Sequence, residues 1–410
     1  MDWLTNPLVL ARFVHLAACV VAAGTAVFVV LAGALTAVSD DLHRRWRRLV
    51  AIGAALAALS GLGWLAIVAA NIVGTSFPDL WQHDIWTVAA GTQFGRLASA
   101  RILLALLVML PLWGDRSRAI LALALLVLIA PAGHAGAQAS PWGWAHLAAD
   151  ALHLVAAACW LGGLPALVMV LAASKRDPAG FGGYAIRTTG RFSWVGIACV
   201  GTLIATGLIN SAFLLSGPAD LLTTVYGRLL AVKLVLFGAL VAIAAVNRFR
   251  LTPRLAQPDV RHALLRNSVI ELVLGAGVLF LVAILGTLEP GGHRHDSGAI
   301  ASDAAFVHIH TNVAMADVTV TPGKPGTVAV RISLSNEDST AYEARAVKVT
   351  LRPPEEDAAT IVFQAKHVAD AVWASGGITI PLPGIWTLLL TITAPSGEIV
   401  VLDGPIVITP

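Results

Sequence analysis

Charge is scarce in this sequence. Of its 410 residues 12% are charged and 57% are hydrophobic, a balance that excludes an ordinary soluble globular protein of this size. There is no basic stripe, and most arginines flank apolar segments, so no nucleic-acid partner is expected. Cysteine is equally thin. Cys19, Cys159 and Cys199 all lie in apolar segments and the C-terminal region has none, so no disulfide framework staples that region. A cleavable signal peptide is not expected either. The first apolar stretch is too long for an h-region and lacks a basic n-region and a convincing cleavage site, so it is expected to remain as a spanning helix.

Long apolar runs are what the chain has in abundance. Residues 16–38, 49–70, 195–215 and 269–288 each reach or approach the ~20 residues that cross a bilayer. Eight spans are expected, at about 8–38, 47–73, 94–113, 118–137, 145–173, 192–215, 226–247 and 268–288. The third carries Arg96 and Arg101, and the fourth is short, closing at Pro131-Ala132-Gly133. Fifteen Lys and Arg residues fall in the alternate loops after spans one, three, five and seven, against Arg12, Arg96, Arg228 and Arg294 near the other surface. The positive-inside rule then predicts that both termini lie outside the cytoplasm.

Two motifs occur twice. His15-Leu, seven residues and Gly24 recur as His153-Leu, seven residues and Gly162. Phe94-Gly95-Arg96-Leu97 with Arg101 recurs as Tyr226-Gly227-Arg228-Leu229 with Lys233, and Ser60-Gly61-Leu62 matches Thr206-Gly207-Leu208. The spacing predicts a duplication into repeats of four spans, about 8–137 and 145–288, with parallel topology because an even number of spans returns the chain to its starting side. The fold expected is mainly α: an eight-helix transmembrane bundle of two parallel four-helix repeats over 1–290, a linker at 291–303, and a C-terminal immunoglobulin-like β-sandwich at 304–410. The sandwich rests on period-two runs such as Val328, Val330, Ile332, Leu334 and Trp386, Leu388, Leu390, Ile392. Turn signals recur at Pro322-Gly323, Pro353-Pro354, Gly376-Gly377, Pro383-Gly384 and Pro395-Ser396-Gly397.

Ionisable groups inside a bilayer are costly, which makes them candidates for function. Of twelve histidines, only His43 and His262 fall in the basic, cytoplasmic loops; the other ten lie on the outer side. Neutral imidazole is a common ligand for copper and zinc. His146, Asp150 and His153 share one helical face at i, i+4 and i+7, and His15 and Cys19 share another at i, i+4. His134 lies where it can fold over the same mouth, and His83 lies on the same outer side. In the β region His308 and His310 alternate onto one strand face ahead of Met315, and imidazole with thioether suits copper. Each residue also has a plain structural reading. A membrane histidine can be an interhelical hydrogen-bonding group, Cys19 a packing residue, Asp150 a group that orients a histidine, and His83 and His146 interfacial residues. Arg101 and Lys233 do not suit a cation pore; they pair with Asp150 or helix-end carbonyls, snorkel outward, or hold an anion, a quinone or a haem propionate.

At these positions the chain resembles the CopD family of bacterial copper-resistance membrane proteins. The resemblance runs through His153-Leu-Val-Ala-Ala-Ala-Cys159-Trp160-Leu-Gly162-Gly163, Arg191-Phe192-Ser193, Thr206-Gly207-Leu208, Tyr226-Gly227-Arg228-Leu229 and Gly133-His134-Ala135. It covers roughly 8–290. The tail resembles the YtkA/FixH-type β domain, through residues 308–317 and Pro383-Gly384-Ile385-Trp386. The resemblance implies copper handling at the bacterial inner membrane, with His15, His153, His134, His308, His310 and Met315 as ligands; the residue pattern adds His146 to the expected ligands and Asp150, Cys19, His83, Arg101 and Lys233 as accessory groups. No Met- and His-rich chaperone domain precedes the first span. A copper donor is therefore expected as a separate periplasmic chaperone, or as the β domain itself, with homo-oligomer formation left open. No catalytic residue is expected. The rivals are a redox protein in which two histidines ligate a haem and a factor delivering copper to a respiratory oxidase.

Overall fold

The computed structural model describes residues 3–33, 40–73, 92–132, 143–215, 217–288, 304–310, 314–336, 340–354 and 359–409. The chain divides into two compact units, Met1–Arg294 and His295–Pro410. The first is helical. Its elements are α1 (Pro7–Gly33), α2 (Asp40–Val73), α3 (Gln93–Met109), α4 (Asp115–Val127) and α5 (Gly143–Ala157). A π-turn (Ala158–Gly162) leads on to α6 (Leu164–Arg176), α7 (Pro178–Leu214), short α8 (Asp220–Thr223) and α9 (Val225–Val246). A second π-turn (Asn247–Leu251) precedes α10 (Pro258–Leu285).

Among the described residues six helical stretches are long and apolar enough to cross a membrane: Pro7–Ala32, Asp40–Ala70, Gly143–Arg176, Pro178–Leu214, Val225–Arg254 and Pro258–Leu285. The expected third and fourth spans appear as the shorter α3, of 17 residues, and α4, of 13 residues. Proline explains both ends. Leu110, ahead of Pro111, is extended at φ −63 and ψ 137, because a residue before proline is driven out of the helical region. Helix α4 gives way to a short 3-10 turn around Pro131. In the other direction, residues 178–191, expected as loop, are helical. Asp177 caps α7 by accepting a hydrogen bond from the Gly180 amide at 2.9 Å, with Pro178 in the first turn.

The doubled Gly-Arg-Leu motif is the first turn of α3 and of α9, capped identically. Thr92 Oγ1 accepts from the Gly95 amide at 3.0 Å and Thr224 Oγ1 from the Gly227 amide at 2.8 Å.

Helix α1 runs through the middle of the unit, with 67% of its apolar window buried. It meets the π-turn through the two motif glycines. A Cβ on Gly24 would strike the Ala158 carbonyl and the Gly162 backbone, and one on Gly162 would strike the Val20 carbonyl. Small residues are what let backbones approach this closely in a bilayer. Pro165 is the second residue of α6 and has no amide hydrogen to offer the preceding turn. The Gly162 carbonyl accepts from Thr25 Oγ1 of α1 at 3.2 Å. Farther along, Phe28 packs edge-on against Trp46 of α2 at 5.5 Å and Phe192 of α7 at 5.6 Å. Outward-facing Leu59, Ile120, Leu208, Val235 and Val273 are exposed, as a surface solvated by lipid requires.

The second unit holds eight strands: β1 (Ala305–His310), β2 (Met315–Thr321), β3 (Gly326–Ser335), β4 (Ala346–Arg352), β5 (Ile361–Ala369), β6 (Val372–Ile380), β7 (Gly384–Thr393) and β8 (Ile399–Ile408). They form one antiparallel sheet in the order β1-β2-β3-β6-β5-β4-β7-β8. Gly404 of β8 leaves room for Ile309 and Val307 of β1, so the sheet curls and its edges pack together in a barrel-like form. The sandwich expected from the sequence would have two separate sheets; here β5 pairs with both β4 and β6 and joins the halves. The alternating residues Val328 to Leu334 and Trp386 to Ile392 are all buried. Gly376-Gly377, expected as a turn, lies inside β6. Gly377 has φ +75, and the register against β3 slips there, so the pair forms a bulge that bends the strand.

The glycine contact yields the first prediction. Gly24→Val is expected to destabilise the helical unit by on the order of 1–3 kcal/mol. Gly63→Ala, where an added Cβ meets open space, should shift stability by less than ~1 kcal/mol. Thermal midpoints of the detergent-purified variants check this, and equal midpoints would contradict it.

Candidate functional site

Each histidine of the doubled motif is held by an oxygen on the next long helix. His15, 1% exposed, places Nδ1 at 3.0 Å from the Ala57 carbonyl and 3.2 Å from Ser60 Oγ on α2. His153 places Nδ1 at 2.9 Å from Thr206 Oγ1 on α7. A carbonyl can only accept, so His15 carries its proton on Nδ1. Ser60 and Thr206 spend their hydroxyl hydrogens on the carbonyls of Leu56 and Thr202, each at 2.6 Å. Their oxygens are therefore left to accept from imidazole. Both rings are consequently Nδ1–H tautomers, so that Nε2 is the nitrogen with a lone pair to offer; at His15 it faces the Cys19 thiol.

The surroundings of the two rings differ. His15 Nε2 lies 3.8 Å from Cys19 Sγ. With metal–N bonds of ~2.0–2.1 Å and metal–S bonds of ~2.3 Å, that separation corresponds to an N–metal–S angle of roughly 120°. Trp64 stands edge-on to His15 at 5.7 Å between centroids. Two guanidinium groups sit over the same indole, Arg12 and Arg101, each at 4.9 Å, and Arg101 also lies 5.8 Å from the Phe94 ring. Arg101 is 1% exposed, and none of its three nitrogens has a hydrogen-bond partner among the described residues, so the aromatic faces are its stabilising contacts there.

On α5 the expected face is real, and it meets α7 rung by rung. His146 is buried and stacks on Phe213 at 4.7 Å and 12°. Asp150 Oδ1 accepts from Asn210 Nδ2 at 3.4 Å, and His153 meets Thr206. Spacing i, i+4, i+7 on one helix answers i, i−3, i−7 on an antiparallel neighbour. Lys233 of α9 is close enough to Asp150 for their charges to interact. Arg12 occupies, three residues before His15, the place that Asp150 holds before His153. One histidine thus has a carboxylate beside it and the other a second cation.

The partners of His15 and His153 share no residue, and the two rings are turned toward different helices. Among the described residues no group of three or more His, Cys, Asp and Glu side chains converges. His83 and His134 lie outside the described residues. In the second unit the register opposes His310 to Met315 and His308 to Asp317 on β1 and β2. Sequence reasoning used Ser60 and Thr206 only as markers of repetition and missed them as histidine partners. The signal was available, since each hydroxyl precedes a motif glycine whose missing side chain admits the ring. Gly61 has His15 Cε1 at 3.3 Å and Gly207 has His153 Cε1 at 3.8 Å from where a Cβ would stand.

Comparison with known proteins gives consistent matches. The family model described as copper resistance protein D matches residues 186–285, and that of the copper resistance protein D-like N-terminal domain matches 1–144. The inner membrane protein YebZ of Escherichia coli (strain K12) is 32% identical over 286 residues, covering 68% of this chain and 97% of the relative. Copper resistance protein D of Pseudomonas syringae pv. tomato is 33% identical over 174 residues, 40% of this chain and 56% of the relative. The copper transport protein CutJ of Bacillus subtilis (strain 168) is 33% identical over 139 residues, 34% of this chain and 24% of the relative.

The stacked arrangement around Trp64 predicts that Trp64→Leu costs ~2–4 kcal/mol, because a buried guanidinium loses its aromatic face. Trp194→Leu, at an indole 65% exposed beneath Arg248, should cost less than ~1 kcal/mol. Chemical or thermal unfolding of the two variants distinguishes them; similar losses would remove the role given to Trp64.

Proposed function

Because the chain belongs to the copper resistance protein D family, we propose that it binds copper at the bacterial inner membrane and delivers or transports it, with His15 and His153 as receiving ligands. The observation that carries this reading is the matched pair of oriented imidazoles, each with Nδ1 held by an oxygen so that the lone pair is on Nε2. Copper is the cargo. At His15, Cys19 adds a sulfur donor at a suitable separation, and nitrogen with sulfur favours Cu(I). At His153, Asp150 supplies a compensating charge one turn away. His134, His146, His308, His310 and Met315 complete the proposed route, in which the β domain and a periplasmic chaperone are sources of copper and exchange between neighbouring ligands moves it inward. This is a binding and delivery role, with no catalytic step.

The topology belongs to the same proposal. Helices α3 and α4 cross together with the six longer stretches, giving eight spans in two parallel four-helix repeats, about 8–137 and 145–288. The β domain is the module of 304–410, joined through 291–303. Three observations support this: the identical threonine caps on α3 and α9, the corresponding histidine–hydroxyl pairs, and two end contacts. His43 Nε2 lies 3.4 Å from Asp115 Oδ2, and Arg261 Nη1 donates to the Ser174 carbonyl at 2.9 Å. Each brings two of the arginine-bearing connections to one end. Both termini and the β domain are then periplasmic.

Copper measured by elemental analysis, and affinity by competition with a Cu(I) chelator, test the reading. His15→Phe with His153→Phe should abolish the copper held by the helical unit, seen as a loss of bound copper relative to wild type. Thr206→Val should weaken binding by about 10–100-fold, as loss of a ligand's orienting partner does. Ser60→Ala should weaken it less, since His15 keeps the Ala57 carbonyl. A wild-type protein that binds no copper sinks the proposal, and a Soret band in its visible spectrum would favour the haem reading. For topology, a phosphatase reporter after residue 410 should be active and one inserted among Arg44–Arg48 inactive; the reverse would overturn the orientation.

A further inference from the structure

Far from the histidines, the helical unit contains a cavity of about 200 Å³ between α6, α7, α10 and the π-turn after α9. Gly196, on its wall, lies ten residues before Thr206 along α7, ~15 Å at the helical rise. The walls are apolar and partly aromatic, with Trp160, Leu164, Phe192, Val200 and Val241. Ile197 and Phe249, also on the wall, are 44% and 73% exposed on the lipid-facing surface, so the cavity communicates with the bilayer.

A few polar groups converge on this apolar space. Glu271 is 2% exposed, and its Oε2 accepts from Asn247 Nδ2 at 3.1 Å. Asn247 Oδ1 accepts from Asn267 Nδ2 at 2.8 Å, which holds the amide in place. Ser268 and Thr189, 1% and 3% exposed, line the cavity with hydroxyl oxygens that have no hydrogen-bond partner among the described residues. Unpartnered buried hydroxyls are costly in hydrocarbon. Asn247 opens a π-turn, a helix irregularity frequent at functional sites. The copper reading uses none of these groups.

We propose that this cavity binds the head group of a quinone or quinol entering from the membrane. One carboxylate among apolar walls offers too few donors for a metal ion. Arg248 also lines the cavity, but its guanidinium lies over the Trp194 ring at 4.4 Å, and the Glu271 carboxylate disfavours a phosphate or carboxylate head. An acyl chain alone would leave Glu271, Ser268 and Thr189 without new partners. A quinone carbonyl accepts from the Ser268 and Thr189 hydroxyls, and the hydroxyl of a quinol donates to Glu271. The flat ring suits the space beside Trp160 and Phe192, and the volume suits a single substituted ring while the isoprenoid tail stays in lipid. The site is independent of copper binding and stands or falls separately from it.

The full-length protein in nanodiscs of synthetic phosphatidylcholine is titrated with decylubiquinone, with empty nanodiscs as reference. The wild type should show saturable binding above partitioning. Gly196→Leu fills the cavity from a position where an added Cβ meets open space, and should weaken binding by at least about tenfold. Ser268→Ala with Thr189→Val should do so by about tenfold. Helical content and size-exclusion profile report folding. If Gly196→Leu misfolds, the hydroxyl double variant decides. Wild-type binding no greater than empty discs, or binding unchanged in whichever variant folds, overturns the proposal. So does loss of bound phospholipid, measured as phosphorus, in Gly196→Leu without loss of quinone, which would make the occupant an acyl chain.

Discussion

In hydrocarbon a polar group has only the partners its own chain provides, and that constraint organises the helical unit. It anchors each imidazole to an oxygen one helix away and thereby decides which ring nitrogen carries the proton. It sends Thr25 to the Gly162 carbonyl, the group at the π-turn where α1 passes closest. It places Arg101 over Trp64 and Phe94 in the absence of a hydrogen-bonding partner among the described residues. The same constraint makes Ser268 and Thr189 conspicuous, because they are buried without the partners that the other groups have.

The two halves share a scaffold but differ in chemistry. The threonine caps, the histidine–hydroxyl contacts and the meeting of Gly24 with Gly162 correspond position by position. The charges do not. Arg12 and Arg101 crowd one side of His15, whereas Asp150 and Lys233 balance each other near His153. Cys19 has its counterpart in Ala157, so sulfur is available beside one ring only. In the proposed duplication, packing and capping residues were kept while the polar groups around each histidine diverged. That division of labour suits a relay of unlike binding sites better than a symmetric pore.

Much of the architecture was legible before any coordinates. Apolar runs marked the long helices, because membrane spans must satisfy their own backbone within one segment. The alternation at Val328–Leu334 and Trp386–Ile392 marked strands, because a half-buried strand reads with period two. The errors have local causes. Asp177-Pro178 starts a helix fourteen residues ahead of the apolar run, and a cap carries no hydropathy signal. Gly376-Gly377 has turn composition but sits in a paired strand as a bulge, since positive φ serves either purpose. The sandwich became a continuous curled sheet because β5 pairs on both sides, and pairing partners leave no trace in alternation.

Composition and periodicity by themselves determined the membrane class, the approximate helix positions, the β unit and the paired histidine motif, all of which follow from how often apolar side chains recur along one chain. Only the tertiary structure decided which oxygen each histidine meets, that His15 and His153 face different helices, that two arginines share one indole, and that Glu271 closes a lipid-facing cavity. Those are facts about residues tens of positions apart, and contacts at that separation are set by how helices cross rather than by local pattern. The doubled motif shows the boundary between the two. Sequence revealed that the histidine recurs, whereas packing against Ser60 in one half and Thr206 in the other defined which ring nitrogen each copy commits to its own scaffold.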